Sequence, residues 1–167
     1  MRVLSIFVVL FYGLTFSPSV EAQKPAHKLY GVSPEKISNY IEATKGQRRA
    51  LFLHASWCSA CRVLMSYMMK MEEARPGSII SVSLDKDMEI YGRFVNRYKE
   101  IPFKLIVNNS STVDLFDNIE KYGVLGWDEL PNIILLDENN HVQNQHIGDA
   151  EIVADFLFDR IREPEKE

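Results

Sequence analysis

The chain has 167 residues, 46% of them hydrophobic, which suits one domain of ordinary size with a single packed core. Lys and Arg number 19 against 23 Asp and Glu, so the formal net charge is -4. A chain with this balance has no electrostatic attraction for polyanions. Nucleic acid and an anionic membrane surface are therefore not expected partners.

The first 22 residues have the pattern of a secretory signal peptide. A positive charge at Arg2 precedes an apolar run from Val3 to Leu14, and mostly small residues lead to Ala22. We predict cleavage after Ala22 and a mature protein in an oxidising compartment, either periplasmic or secreted. The run is shorter than the roughly 20 apolar residues of a membrane span. If it is not cleaved, it becomes an N-terminal membrane anchor.

Residues 23–47 are predicted to form a leader and a first helix. Ser33 can cap this helix, Pro34 suits its first position, and Gly46 suits the turn that follows it. Four residues share one face and make the helix amphipathic, namely Ile37, Tyr40, Ile41 and Thr44.

Strands and helices alternate along residues 48–163, and residues 164–167 are a charged tail. Strands are predicted over 50–55, 80–84, 103–107, 133–136 and 142–147. Four helices are predicted in this region. One spans 58–74, one begins after a cap at Asp87, one ends at about Tyr122, and the last begins after a cap at Asp149. This order predicts an α/β domain whose central mixed sheet has parallel strands in the middle and helices on both faces.

The only two cysteines, Cys58 and Cys61, lie in the stretch HASWCSACRV, between a predicted buried strand and a predicted helix. The first thiol falls at a helix N-terminus, where backbone N–H groups and the macrodipole favour an anion. Its thiolate can attack a disulfide, and Cys61, one turn further on, can attack the resulting mixed disulfide. A structural staple is disfavoured because bridging so short a loop stabilises little.

Two other interpretations concern histidines. Cys58 and Cys61 with His141 and His146 provide the ligand types of a zinc site, but His141 lies 80 positions after Cys61, unlike the spacing of a zinc finger. We therefore expect no metal and no organic cofactor. His54 lies in the buried strand before the cysteines, where a core histidine is favoured over a copper ligand or a proton carrier.

The stretch ASWCSAC resembles the Trp-Cys-x-x-Cys site of thioredoxin-like proteins. The later segment YGVLGWDELPNIILLDENNHV resembles their Tyr-Gly-Val-x-Gly-x-Pro motif followed by a strand, a turn and a strand. Residues 83–124 resemble the additional helix, strand and helix of extracytoplasmic TlpA-like thiol-disulfide oxidoreductases. The resemblance spans about residues 48–161 and implies a thioredoxin-like fold.

The resemblance also implies roles for individual residues. Cys58 corresponds to the nucleophile and Cys61 to the resolving thiol, and Leu130-Pro131 corresponds to a cis peptide bond near them. Trp57, Leu130 and Pro131 correspond to residues that contact the substrate. Simple packing is the alternative for Trp57, and a trans proline at the start of a strand is the alternative for Pro131.

Two departures from the family concern proton transfer. Thioredoxins have a buried acid six residues before the first cysteine, where this chain has Phe52, and many TlpA-like reductases have an acid three residues after the second, where it has Leu64. The loop before the proline contains Asp128 and Glu129. We hypothesise that one of these two accepts the proton of Cys61. The alternative is that both are solvated loop acids.

These observations predict a thiol-disulfide oxidoreductase that exchanges disulfides with protein cysteines and receives electrons from an upstream redox protein. Ser59 and Ala60 supply no positive charge or strong donor for a thiolate, which favours the reducing direction. The alternative is a thioredoxin-fold peptide-binding module or chaperone that grips extended polypeptide beside Pro131 without redox turnover, and the missing family acids support it.

Overall fold

The computed structural model describes residues 27–126 and 129–158, apart from the side chains of residues 146 and 147. The predicted signal peptide, its cleavage site, Asp128 and the predicted tail lie outside the described residues. Within the described ranges, every helix is too short or too polar to cross a membrane.

Six strands and five α-helices make up the described fold. The strands are β1 Leu29–Val32, β2 Arg49–His54, β3 Ile79–Ser83, β4 Leu105–Asn108, β5 Asn132–Leu136 and β6 Val142–Ile147. The helices are α1 Pro34–Ala43, α2 Ser59–Ala74, α3 Met88–Val95, α4 Thr112–Ile119 and α5 Ala150–Leu157. A short 3-10 helix, Glu120–Tyr122, continues α4.

The strands form one sheet in the order β1-β4-β3-β2-β5-β6. The four strands from β1 to β2 run parallel to one another, whereas β5 is antiparallel to both β2 and β6. The predicted mixed sheet with parallel strands in its middle is therefore confirmed. The strand that leads to the cysteines, β2, is paired on both sides.

The helices cover both faces of the sheet, as predicted. On one face, α2, α3 and α5 pack against a core to which β2 contributes Ala50 and Phe52. On the other face, α1 and α4 pack against a core to which β2 contributes Leu51 and Leu53. All six residues of β2 are buried, because both of its faces are covered and both of its edges are paired.

The predicted helix caps are present at two helices that flank the site. The Asp87 carboxylate accepts hydrogen bonds from the N–H groups of Glu89 and Ile90 at the start of α3. The Asp149 carboxylate accepts one from the N–H of Glu151 at the start of α5. Carboxylates at these positions satisfy backbone donors that have no partner within the helix.

Two features differ from the sequence predictions. The strand β1 lies in the stretch before the first helix, where the sequence predicts only a leader, because its partly and fully exposed residues take their conformation from pairing with β4. The strand β3 has the alternating pattern of a half-buried strand, yet Ser81 and Ser83 are buried too. Their hydroxyls have buried partners, since Ser81 lies within hydrogen-bond distance of His54 and Ser83 donates to Asp85.

The connection from α2 to β3 is held by the buried carboxylate of Glu72. It accepts hydrogen bonds from the N–H groups of Gly77, at 2.7 Å, and Ile79, at 2.8 Å. Gly77 has a φ of +82°, which residues with a side chain rarely adopt. This turn fixes the end of the helix whose other end carries the cysteines.

We expect Glu72→Ala to lower the free energy of unfolding by about 1–3 kcal/mol, because the buried N–H of Ile79 and the partly buried N–H of Gly77 lose their acceptor. Urea denaturation measures the change. Glu73→Ala is the matched control, since Glu73 is exposed on the same turn of the helix, and its effect should stay within about 0.5 kcal/mol. Equal effects of the two substitutions would contradict this role of Glu72.

Candidate functional site

Cys58 and Cys61 form a disulfide at the start of α2, with their Cα atoms 5.3 Å apart. Cys58 is the N-cap residue of α2, and its Sγ accepts a hydrogen bond from the Cys61 N–H at 3.1 Å. Cys58 is 7% exposed, whereas Cys61 is fully buried. The predicted position of the first sulfur at a helix N-terminus is confirmed, and of the two cysteines Cys58 is the one with some solvent exposure.

A tight turn between β2 and α2 places the disulfide at the end of the sheet where β2 ends. The Leu84 N–H donates to the His54 carbonyl at 2.8 Å, which ties the end of β2 to the chain leaving β3. The Cys58 N–H donates to the Ala55 carbonyl at 3.2 Å and closes the turn. The side chain of Trp57, between these residues, is 69% exposed. The turn therefore places an exposed indole directly before the first cysteine.

Asp85 holds the same turn, and the sequence predictions did not include it. Its carboxylate accepts hydrogen bonds from the Ser56 N–H at 2.8 Å, from the Ser56 hydroxyl at 2.5 Å and from the Ser83 hydroxyl at 2.6 Å. Asp85 is only 3% exposed. A sequence signal was available, because an acid just after a buried parallel strand lies at the same sheet edge as the residues that follow the neighbouring strand.

His54 lies in the core beneath the turn, as the sequence favoured. Its Nε2 is 2.8 Å from the Ser81 hydroxyl and 3.5 Å from the Tyr91 hydroxyl, and its ring stacks on Phe52 with centroids 4.6 Å apart. Burial lowers the pKa of His54 to about 4, although the charge of Asp85 opposes part of this effect. Burial also raises the pKa of Tyr91. At neutral pH the core below the site is therefore polar but uncharged at both rings.

The cis peptide bond predicted at Leu130-Pro131 is present. It lies near the cysteine turn because β5 runs antiparallel to β2, so that Asn132, at the start of β5, pairs with Leu53, near the end of β2. The structure thereby brings the residues just before β5 to the end of the sheet where the disulfide lies. Glu129, in the preceding loop, is exposed.

A groove of 490 Å³ lies beside Trp57 and Leu130. Its walls also include Asp85, Lys86 and Ile90, so it is formed by the cysteine turn, the end of β3, the start of α3 and the loop before β5. Ile90 is 45% exposed. The groove thus combines exposed apolar residues with the charged residues Asp85 and Lys86.

The two positions at which the resembled family has acids are apolar and buried here. Phe52 is fully buried and Leu64 is 6% exposed, and both belong to the core cluster that contains the two cysteines. Because hydrocarbon fills both positions, neither residue can take up a proton from Cys61.

The histidine of the zinc interpretation that the structure describes has a different partner. The exposed His141 precedes β6, and its Nδ1 is 3.5 Å from the Asp137 carboxylate. Residues 27–126 and 129–158 contain no group of three or more His, Cys, Asp or Glu side chains that could hold a metal ion. The side chain of His146 lies outside the described residues.

We expect the buried His54 to make stability depend on pH. Between about pH 6.5 and pH 4 the unfolded chain binds a proton that the folded chain does not, so the free energy of unfolding falls as the pH falls. The loss between pH 7 and pH 5 is about 2 kcal/mol. Urea denaturation at both pH values should show that His54→Gln removes this part of the dependence.

His141→Gln is the control for this measurement, because it removes an exposed imidazole and should keep the dependence of the wild type. A His54→Gln variant that loses as much stability as the wild type between the two pH values would contradict a neutral buried imidazole.

No protein-family model matches the sequence, and no curated protein sequence is similar to it. Several solved structures are similar to the described fold. The thioredoxin domain of a thiol-disulfide oxidoreductase from Bacteroides vulgatus matches with a TM-score of 0.54 and 20% identity, over 69% of this chain and 82% of that one. A thiol:disulfide interchange protein of the thioredoxin family from Chlorobium tepidum matches with a TM-score of 0.54 and 17% identity, over 69% and 83%.

The exposed lipoprotein thioredoxin of Streptococcus pneumoniae matches with a TM-score of 0.56 and 16% identity, over 71% of this chain and 89% of that one. All three neighbours have names of the thioredoxin class, and two of them are named for thiol-disulfide exchange. At these identities the similarity concerns the fold. The chain therefore has the thioredoxin-like fold, with a Cys-x-x-Cys disulfide at the start of its second helix.

Proposed function

We propose that this protein is a thiol-disulfide oxidoreductase that exchanges disulfides with protein cysteines through Cys58 and Cys61. The observation that carries the proposal is the disulfide at the N-terminus of α2, in which Cys58 is 7% exposed and Cys61 is fully buried. This arrangement separates an attacking sulfur from a resolving one. The names of the structural neighbours support the same chemistry.

In the reducing direction, the Cys58 thiolate attacks one sulfur of a substrate disulfide. A bond forms between Cys58 and that sulfur, the substrate S–S bond breaks, and the departing substrate thiolate takes a proton. The N–H groups at the start of α2 stabilise the attacking thiolate, because they have no partner within the helix and lie at the positive end of its macrodipole. The Cys61 N–H, which contacts the Cys58 sulfur at 3.1 Å, is one of these donors.

In the second step, Cys61 gives up its proton and attacks the Cys58 sulfur of the mixed disulfide. The Cys58–Cys61 bond forms, the bond to the substrate breaks, and the second substrate thiol is released. Two electrons have then passed from the cysteine pair to the substrate. An upstream redox protein returns two electrons to complete the cycle.

The buried Cys61 needs a base for this step, and we propose that Asp128 or Glu129 supplies it. The position of Glu129 directly before the cis Leu130-Pro131 bond supports this assignment. The apolar side chains at the two family positions, Phe52 and Leu64, leave the role to a carboxylate elsewhere.

The groove beside the disulfide is our proposed contact surface for the substrate. An extended polypeptide can place apolar side chains against the exposed face of Trp57 and against Leu130. Pro131 has no backbone N–H, so the chain offers no hydrogen-bond donor at this position beside the cysteines. This surface is suited to peptide segments of proteins, because it combines apolar and charged residues within one groove.

The direction of exchange and the location complete the proposal. The dipeptide Ser59-Ala60 carries no cation that would give the reduced pair unusual stability, which supports a reducing role. The signal-peptide pattern of residues 1–22 supports a periplasmic or secreted location. The similarity to an exposed lipoprotein thioredoxin is in keeping with that location.

We expect the wild-type protein to accelerate the reduction of insulin by dithiothreitol. Cys58→Ser should lower this turnover by at least about 100-fold, to the rate without protein, because no attacking thiolate remains. Cys61→Ser should accumulate a mixed disulfide with its substrate, because the resolving step is lost. Mass spectrometry after a non-reducing gel identifies the trapped protein.

The double variant with both cysteines changed to serine is the control for trapping and should capture nothing. Wild-type protein without turnover, combined with equal peptide affinity in the wild type and Cys58→Ser, would favour a peptide-binding module instead. A reduction potential near -120 mV, the value of the strongest periplasmic oxidants, would overturn the reducing direction, whereas one near the thioredoxin value of about -270 mV supports it.

We expect the double change Asp128→Asn and Glu129→Gln to slow the resolving step by at least about tenfold and to alter its pH profile, because the proposed proton acceptor is removed. Stopped-flow measurement of mixed-disulfide decay follows this step. Glu138→Gln, in the exposed turn between β5 and β6, should leave the profile unchanged. An unaltered pH profile in the double variant would remove both loop acids from the mechanism.

A further inference from the structure

The buried carboxylate of Asp85 takes part in no step of the proposed mechanism, yet it binds the turn that carries the first cysteine. It accepts from both the N–H and the hydroxyl of Ser56, two residues before Cys58. A third hydrogen bond comes from the Ser83 hydroxyl at the end of β3. The carboxylate therefore links the end of β3 to the cysteine turn through direct contacts.

All three donors to Asp85 are neutral groups. Within the described part of the chain, no lysine or arginine forms an ion pair with it. The neighbouring Lys86 directs its ammonium group to the carbonyl of Ser110. A carboxylate that accepts three hydrogen bonds and donates none has the bonding of the ionised form. Its negative charge is screened little by solvent, because only 3% of the residue is exposed.

We propose that Asp85 is a positioning residue for Cys58 that holds the cysteine turn through Ser56 and opposes ionisation of the Cys58 thiol through its charge. The inference rests on the proposed exchange function. It assigns to this chain a buried acid at the end of β3, in a site whose two family acid positions are filled by Phe52 and Leu64.

The consequence for reactivity follows from the sign of the charge. The helix N-terminus stabilises the Cys58 thiolate, whereas a buried carboxylate near it destabilises the same anion. A less stable thiolate makes the reduced pair less stable relative to the disulfide, and the pair becomes a better reductant. Asp85 therefore makes the cysteine pair a better reductant of its substrate, and it also holds the turn in place.

Other titratable groups belong to the elements packed around this site. They are His54 in β2, Arg62 in α2, Lys86 after β3, Asp87 and Tyr91 at α3, Glu129 before β5 and Asp149 at α5. Burial keeps the two aromatic rings of this set, His54 and Tyr91, uncharged at neutral pH. The other five are exposed, where solvent and salt screen their charges. Two other buried charged residues of these elements lie at their far ends, Arg49 at the start of β2 and Glu72 near the end of α2, so Asp85 is the buried charge beside the cysteine turn.

The test is the acid dissociation constant of Cys58 in the reduced protein, followed by the ultraviolet absorbance of its thiolate. We expect Asp85→Asn to raise this constant about three- to tenfold, because the amide keeps an acceptor for the Ser56 N–H but removes the charge. The redox equilibrium with glutathione should move about threefold toward the dithiol, which corresponds to about 14 mV at about 29.6 mV per tenfold change.

Two further variants separate charge from structure. Ser56→Ala removes one donor and leaves the carboxylate less neutralised, so the constant should stay the same or fall. If the role is only structural, both variants loosen the turn and shift the constant in the same direction. Asp87→Asn removes an exposed carboxylate two residues away and should leave the constant unchanged.

An unchanged or lowered constant in Asp85→Asn would overturn the inference, and so would a raised constant in Ser56→Ala, which can be measured even if the first variant does not fold. These readouts need only the reduced full chain and no substrate. Failure of the wild type to reduce insulin would refute the proposed function and leave the thiol measurement standing, so the two failures are distinguishable.

Discussion

The pairing of β2 on both of its edges is the constraint on which the site depends. Its parallel partner β3 brings the residues that follow it, among them Asp85, to the end of the sheet where the cysteine turn begins. Its antiparallel partner β5 brings the residues that precede it, Leu130 and Pro131, to the same end of the sheet. Three segments far apart in the chain therefore meet around Cys58 because hydrogen bonds fix the register of three strands.

Two opposing electrostatic effects act on the Cys58 thiolate at that end of the sheet. The start of α2 favours a negative charge on the first sulfur, since its N–H groups point toward the turn. The end of β3 holds a buried carboxylate that accepts from the same turn. The reactivity of a cysteine pair depends on the free energy of its thiolate, so the fold supplies both a stabilising and a destabilising group through rigid elements.

The core beneath the site combines apolar packing with a small neutral polar cluster. Phe52 fills one of the acid positions of the resembled family and stacks on His54, which lies within hydrogen-bond distance of Ser81 and Tyr91. Burial keeps both rings uncharged at neutral pH, because a charge there would lose its hydration. The charged acid of this region thus lies at the end of β3, where the turn supplies hydrogen-bond donors.

Local patterns in the sequence determined the cysteine pair at a helix start, the caps at Asp87 and Asp149, and the alternation of strands and helices, because each depends on residues close together in the chain. Tertiary structure alone decided the strand β1, whose four residues need β4 beside them, and the burial of Ser81 and Ser83 in a strand covered on both faces. It also decided the role of Asp85, because its contact with Ser56 joins residues 29 positions apart through strand pairing.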